Sequence, residues 1–168
     1  MVDKKISQLI LDDREKRYEF LCKTLNEYKL TVLCGKINYP SNNKNTFEAN
    51  KAFYVLYDIL KERFKGYIKF EKILEGYDGK ALINVLDIPL REAKKISIEI
   101  EESHSLGRLF DIDVYDLNGI PIDREQLGFK RRRCILCGDE ARICIANRKH
   151  SLNEILEVVN NLILEYKG

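Results

Sequence analysis

No stretch of this 168-residue chain approaches the roughly 18 consecutive apolar residues that a membrane-spanning helix requires. The opening MVDKKISQLI is charged and lacks an apolar core followed by small residues, so it does not read as a secretion signal. Charge of one sign is also lacking: 29 Lys and Arg against 27 Asp and Glu leave a formal net charge of +2. That balance argues against wholesale adhesion to nucleic acid or an anionic membrane, though a local basic patch is compatible with it. Low-complexity tracts and internal repeats are missing. The five cysteines are an odd number, which does not suit a disulfide framework. A cytoplasmic protein, bound neither to nucleic acid nor to membrane, is expected.

What is present is a core: 45% of the residues are hydrophobic, enough for one domain over residues 1–168, with a Cys/Arg-rich subsegment at 129–150. Apolar residues at helical spacing predict a helix over about 6–28 and a second from Phe47 through Phe64, with Asn45 and Glu48 placed as its cap. "LTVLCGKI" (30–37) reads as a strand, and the polar 38–45 as a loop. "GYIKFEKIL" and "KALINVLDI" flank Asp78-Gly79 as a hairpin. Pro89 suits the first turn of a helix running to about Ser103, although "ISIEIEE" within it also alternates like a strand. A strand is expected over 108–116 and irregular structure over 117–150. Ser151 and Glu154 form a capping box ahead of a final helix. The expected fold class is α+β, with a mixed, mostly antiparallel sheet of about four strands packed by helices.

The stretch "LGRLFDIDVYD" (106–116) sets acids inside a buried-looking strand. Side chains alternate across a strand, so Phe110, Ile112 and Val114 share one face, and Asp111, Asp113 and Tyr115 the other. Two carboxylates on one face can grip a hard cation, and Mg²⁺ typically takes one or two carboxylates plus substrate phosphates. Gly107 allows close approach of a phosphate to the backbone, and Arg108 offers a bidentate anion clamp. Alternating Asp on a solvated strand is the plainer explanation of the same pattern. Asp116, at the strand end, reads as a turn residue.

In "FKRRRCILCGDEARICIANRKH" (129–150), Cys134, Cys137, Cys144 and His150 match a closed tetrahedral Zn²⁺ site; buried small hydrophobes are the alternative. The run Lys130-Arg131-Arg132-Arg133, extended by Arg142, Arg148 and Lys149, suits a polyphosphate or an acidic partner. Arg14 and Arg17 in "LDDREKR" lie on one side of the first helix, where substrate binding and surface salt bridging explain them equally well.

The segments "LDDREKR", "EESHSLGRLFDIDVYDLNG", "REQLGFKRRRCILC" and "CIANRKHSLNEIL", in this order and spacing, resemble the apo-citrate lyase phosphoribosyl-dephospho-CoA transferases, the CitX-type holo-acyl-carrier-protein synthases. The stretch 36–50 departs most from the family pattern. The resemblance implies an enzyme, a nucleotidyltransferase. It would move the phosphoribosyl-dephospho-CoA group from triphosphoribosyl-dephospho-CoA to a serine of the citrate lyase acyl-carrier subunit and release pyrophosphate. Asp111 and Asp113 would hold Mg²⁺ and one of them, or His104, would act as base. Arg108, Arg14, Arg131, Arg132, Arg133 and Arg148, with Gly107, would bind substrate. The Gly…Asp-x-Asp pattern also looks like that of polymerase-β-type nucleotidyltransferases, which suggests a third carboxylate, with Asp87 as the candidate. The competing readings are a zinc-stapled nucleic-acid-binding module and a non-catalytic citrate lyase assembly factor.

Overall fold

The computed structural model describes residues 2–168. In chain order the elements are α1 (Val2–Tyr28), β1 (Thr31–Ile37), α2 (Phe47–Arg63), β2 (Ile68–Leu74), β3 (Ala81–Leu86), α3 (Leu90–Ser103), β4 (Phe110–Tyr115), α4 (Ala141–Ala146) and α5 (Leu152–Glu165). The strands form one sheet in the order β2-β3-β1-β4. Every neighbouring pair is antiparallel, so the sheet is not mixed. The α+β class stands.

Both faces of the sheet are covered. Leu33, Ile37, Leu82, Leu86, Phe110, Ile112 and Val114 pack with α2, α3 and α5. Val32, Cys34, Ala81, Ile83 and Val85 pack under Leu21 and Leu25 of α1. This double cover explains why β3 is buried at every position, whereas edge strand β4 alternates buried and half-buried residues.

An edge strand presents unpaired backbone groups, and β4 has each of the following satisfied by another element. Lys94 of α3 donates to the Ile112 carbonyl at 2.8 Å, and Glu101 accepts from the Ile112 N–H at 3.1 Å. Arg132 donates to the Phe110 carbonyl, and the N–H of Ile122 donates to the Val114 carbonyl.

Several local expectations shift. Thr46, not Asn45, caps α2: its hydroxyl accepts from the Ala49 N–H at 3.2 Å. The "ISIEIEE" segment is helical, because α3 buries Ala93, Lys94, Ser97, Ile98 and Glu101 at helical spacing. Residues 107–109 form a 3-10 turn and β4 starts at Phe110. The 117–150 stretch contains a 3-10 turn (125–127) and α4. The Ser151–Glu154 capping box is formed in both directions. Ser151→Ala should cost about 1 kcal/mol in urea unfolding, the usual value of such a cap; an unchanged midpoint would show that the box contributes nothing here.

Candidate active site

Strand parity places Asp111, Asp113 and Tyr115 on the face covered by α1. In the antiparallel register Asp111 lies opposite Lys36 and Asp113 opposite Cys34. Arg17 of α1 reaches the same neighbourhood, since both Cys34 and Tyr115 feel its charge together with those of Asp111 and Asp113. Burial, then the neighbouring Asp111, pushes the Asp113 carboxyl up to about 6. Burial also pushes the Cys34 thiol up to about 12, so it stays neutral and is no nucleophile at rest.

The sequence reading missed the partner of this acidic pair, which is a buried carboxylate with three cations. The Asp78 side chain has no exposed surface. Arg14 donates to its Oδ1 through Nε and Nη2, both at 3.2 Å. Arg17 Nη1 lies 2.9 Å and Lys36 Nζ 2.8 Å from Oδ2. Asp13 of α1 accepts from the backbone N–H groups of Tyr77 and Asp78, which ties the hairpin turn to the helix. Gly76 permits that approach, because a Cβ there would overlap the Asp13 carboxylate. The signal was present in sequence as Arg14 and Arg17 at i, i+3. Nothing local, however, announces that an aspartate 64 residues away completes the set.

Burial alone would raise the Asp78 pKa. The hydrogen bonds and charges of Lys36, Arg14 and Arg17 outweigh it and hold the carboxyl below its ordinary 3.8. A carboxyl depressed in the folded state contributes stability that is present above about 3.9 and lost as pH falls through the lower folded value. Acid unfolding should therefore steepen below pH 4 in the wild type and be less steep in Asp78→Asn. Urea midpoints measured from pH 6 to 2.5 check this, and parallel curves would contradict it.

The other expected site residues fall elsewhere. His104 stacks on Phe110 with centroids 5.2 Å apart, and its Nε2 is 3.3 Å from the Tyr166 hydroxyl. It therefore belongs to the opposite face of the sheet from the aspartates. Burial lowers its pKa. Asp87, past the end of β3, pairs with Lys69 at 3.4 Å and is exposed; β1 separates β3 from β4, so it is not a third member of the acidic pair. Gly107 is buried and its bare Cα abuts the Glu101 carbonyl, so close packing against α3 requires it and no phosphate can reach it from that side.

Arg108 lies near Arg132, Arg124, Cys134 and Glu101; burial, then the two arginines, lowers its pKa. Its buried Nε has no hydrogen-bond partner among the described residues. Arg132 donates to the carbonyls of Gly107 and Phe110. Arg131 pairs with Glu125 at 2.7 Å and Glu140 at 2.9 Å, and Arg133 donates to the Gly138 carbonyl. The arginine run is thus engaged in holding its own loop. Exposed Arg148 follows α4 in the left-handed region, φ 48°.

Cys134, Cys137, Cys144 and His150 do come together, with one ligand atom of each lying within 4.8 Å of all the others. Cys137 Sγ is 3.4 Å from Cys144 Sγ and 3.4 Å from His150 Nε2. Ligands around a tetrahedral Zn²⁺ with ~2.3 Å Zn–S bonds sit about 3.8 Å apart, so the cluster could hold such an ion with small adjustments. Burial opposes ionisation of Cys134, but the backbone N–H groups of Cys137 and Leu136 and the neighbouring thiols bring it down to about 6. The C-x₂-C knuckle thus favours thiolate.

By class, the molecule is an α+β domain in which an acidic pair and a basic array share one sheet face. Comparison with known proteins makes this specific. A family profile described as apo-citrate lyase phosphoribosyl-dephospho-CoA transferase matches residues 5–166, and the chain belongs to that family. A Vibrio cholerae serotype O1 protein named "Probable apo-citrate lyase phosphoribosyl-dephospho-CoA transferase" is 41% identical, covering 96% of this chain and 92% of the relative. "Protein CitXG" of Leuconostoc mesenteroides subsp. cremoris is 32% identical over 94% of this chain. An Escherichia coli O1:K1 protein named "Apo-citrate lyase phosphoribosyl-dephospho-CoA transferase" is 39% identical over 45% of this chain and 41% of its own length. The chain spans about a third of the length of the CitXG proteins, 35% in the Leuconostoc case.

Proposed function

We propose that this chain attaches phosphoribosyl-dephospho-CoA, drawn from triphosphoribosyl-dephospho-CoA, to a serine of the citrate lyase acyl-carrier subunit. The serine Oγ forms a bond to the innermost phosphorus of the triphosphate, the bond from that phosphorus to the outer diphosphate breaks, and pyrophosphate leaves. The observation that carries this reading is the Asp111/Asp113 pair facing Lys36 beside Arg17, in a chain that belongs to this family.

Phosphoryl chemistry of this kind asks the protein mainly to position the phosphates and offset their charge. Asp111 and Asp113 supply hard oxygen donors on one face, and burial, then the neighbouring Asp111, raises the Asp113 pKa. That donor set fits Mg²⁺, which when bound would neutralise developing phosphate charge. Either aspartate would take the serine proton. His104 is screened from this face by the sheet.

The Cys₃His cluster is read as a structural Zn²⁺ site. It would brace the 130–150 segment, and through Arg132 the start of β4. About one Zn²⁺ per chain by elemental analysis, lost in Cys137→Ser, is the expected result; a metal-free, fully folded wild type would refute it. The reading places the protein in the cytoplasm, where its free cysteines stay reduced. Among the described residues no helix is long and apolar enough to cross a membrane.

The experiment is a mass measurement. Protein, triphosphate precursor, Mg²⁺ and apo-carrier are incubated, and the carrier should gain the mass of the prosthetic group. An unchanged carrier mass would favour the assembly-factor reading. The nucleic-acid module has less support, since Arg131, Arg132 and Arg133 are occupied by carboxylates and carbonyls.

A further inference from the structure

We infer that Asp78 is a positioning residue that holds Arg14, Arg17 and Lys36 as a diphosphate-binding array beside Asp111 and Asp113, and that this array receives the departing pyrophosphate. The inference rests on the transferase reading for the identity of the ligand. The array itself is argued from charge and burial.

Asp78 contacts three cations, and Asp111 and Asp113 stand beside Lys36 and Arg17; with that acidic pair engaged by Mg²⁺, two of the three positive charges are left without a carboxylate. Arg17 and Lys36 are each only 16% exposed, so water does not screen them as it does a surface ion pair. Desolvating cations beyond what their carboxylate offsets is unfavourable unless an anion completes the set. A fourth cation adds to the imbalance. The Lys44 ammonium, near Asp78, Lys36 and Arg14, is half-buried, and burial first, then those cations, lowers its pKa against the pull of Asp78.

The array is also open. Arg14 is about half exposed. Between α1 and the hairpin a cleft of about 260 Å³ is lined by Asp13, Lys16, Arg17, Phe20, Glu75 and Gly76 among others, so Arg17 is the member of the array on its wall. Arg guanidinium groups match phosphate oxygens bidentately, and Asp78 fixes which edge of each remains free. Lys36 links the two halves of the site, because its Nζ is on Asp78 while its backbone position is opposite Asp111. A diphosphate on the array would therefore lie next to the acidic pair, where the bond to the innermost phosphorus breaks.

The test uses the full chain and inorganic pyrophosphate as probe, with calorimetry for affinity and carrier loading for kinetics. Wild type should bind pyrophosphate. Lys36→Met should weaken that binding by about tenfold or more, the value of one charge-assisted contact, and Asp78→Asn should also weaken it, because releasing Arg14, Arg17 and Lys36 from their positions outweighs the removal of a negative charge. Both should raise KM for the triphosphate precursor and leave KM for the carrier unchanged, a split that a merely structural loss would not produce. If Asp78→Asn does not fold, Lys36→Met decides alone, with circular dichroism confirming its fold. A folded Lys36→Met variant with wild-type pyrophosphate affinity overturns the inference, as does a wild type that fails to bind. Pyrophosphate binding that is lost in the variants, with no carrier loaded even by wild type, upholds the array and overturns the transferase reading instead.

Discussion

Asp113→Asn is expected to reduce carrier loading by roughly 10²–10⁴-fold, the several kcal/mol that a charge-stabilising cation site contributes, while the fold stays as stable or becomes more so. The two halves of this expectation share one cause. Asp113 is half-buried, and its carboxyl is pushed up to about 6 by that burial and by Asp111 two residues away. For an acid raised in the folded state the linkage runs opposite to the usual case. The protonated form suits the fold, so ionisation at neutral pH opposes stability, and the penalty grows as pH rises from about 4 through 6. Asn is isosteric and uncharged, so it removes the penalty and the cation ligand together. Sites that are costly to the fold and kept nonetheless are where function is expected. Loading assays and urea melts at pH 7.5 should move in opposite directions. Full activity would eliminate the carboxylate's role. A large loss of stability would show that Asp113 is a structural acid whose compensating contact has been overlooked.

How much of this was legible depended on how local each determinant was. The strand parity of Asp111 and Asp113 needs only an alternation of two, and Phe110, Ile112 and Val114 supplied it. The Ser151 cap and the Cys134–Cys137 knuckle are equally local, and both formed. Cys144 and His150 join them because α4 and the turn after it fold the 137–150 stretch back on itself. What sequence could not show depended on partners. The arginine run 131–133 has the residue types for phosphate, but Glu125, Glu140 and backbone carbonyls occupy it. Gly107 suggested access, but the neighbour is the end of α3, and packing there leaves no room. His104 is close to Asp111 in sequence, yet it precedes the turn that starts β4 and so falls across the sheet. Asp78 looked like turn chemistry, and it is in a turn; α1 and β1 converging there make it a hub. Strand order, which puts β1 rather than β3 beside β4, ruled out Asp87 and brought in Lys36.

Glu101→Ala is expected to cost about 3–5 kcal/mol, the cost of breaking a buried ion pair by removing one partner. The Glu101 side chain is only 6% exposed and lies between α3, β4 and the arginine loop. One oxygen accepts the Ile112 N–H at 3.1 Å, and the other pairs with Arg124 at 2.8 Å, with Arg132 at 3.8 Å from the first. Truncation strands an edge N–H and leaves two guanidinium groups crowding Arg108 with their counter-charge gone. Glu101→Gln keeps an acceptor for Ile112 and should lose less. Function should follow stability through a short path. Ile112 sits between Asp111 and Asp113, and its two backbone groups are held by Glu101 on one side and Lys94 on the other. The bracket that closes the sheet edge therefore also sets where both carboxylates stand. Glu101→Gln, folded and assayed below its melting range, should weaken carrier loading and Mg²⁺ dependence together, with pyrophosphate affinity changed far less, since Arg14, Arg17 and Lys36 are held by Asp78 and not by the edge of β4. Wild-type Mg²⁺ dependence in that variant would show that the edge of β4 and the acidic pair are independent.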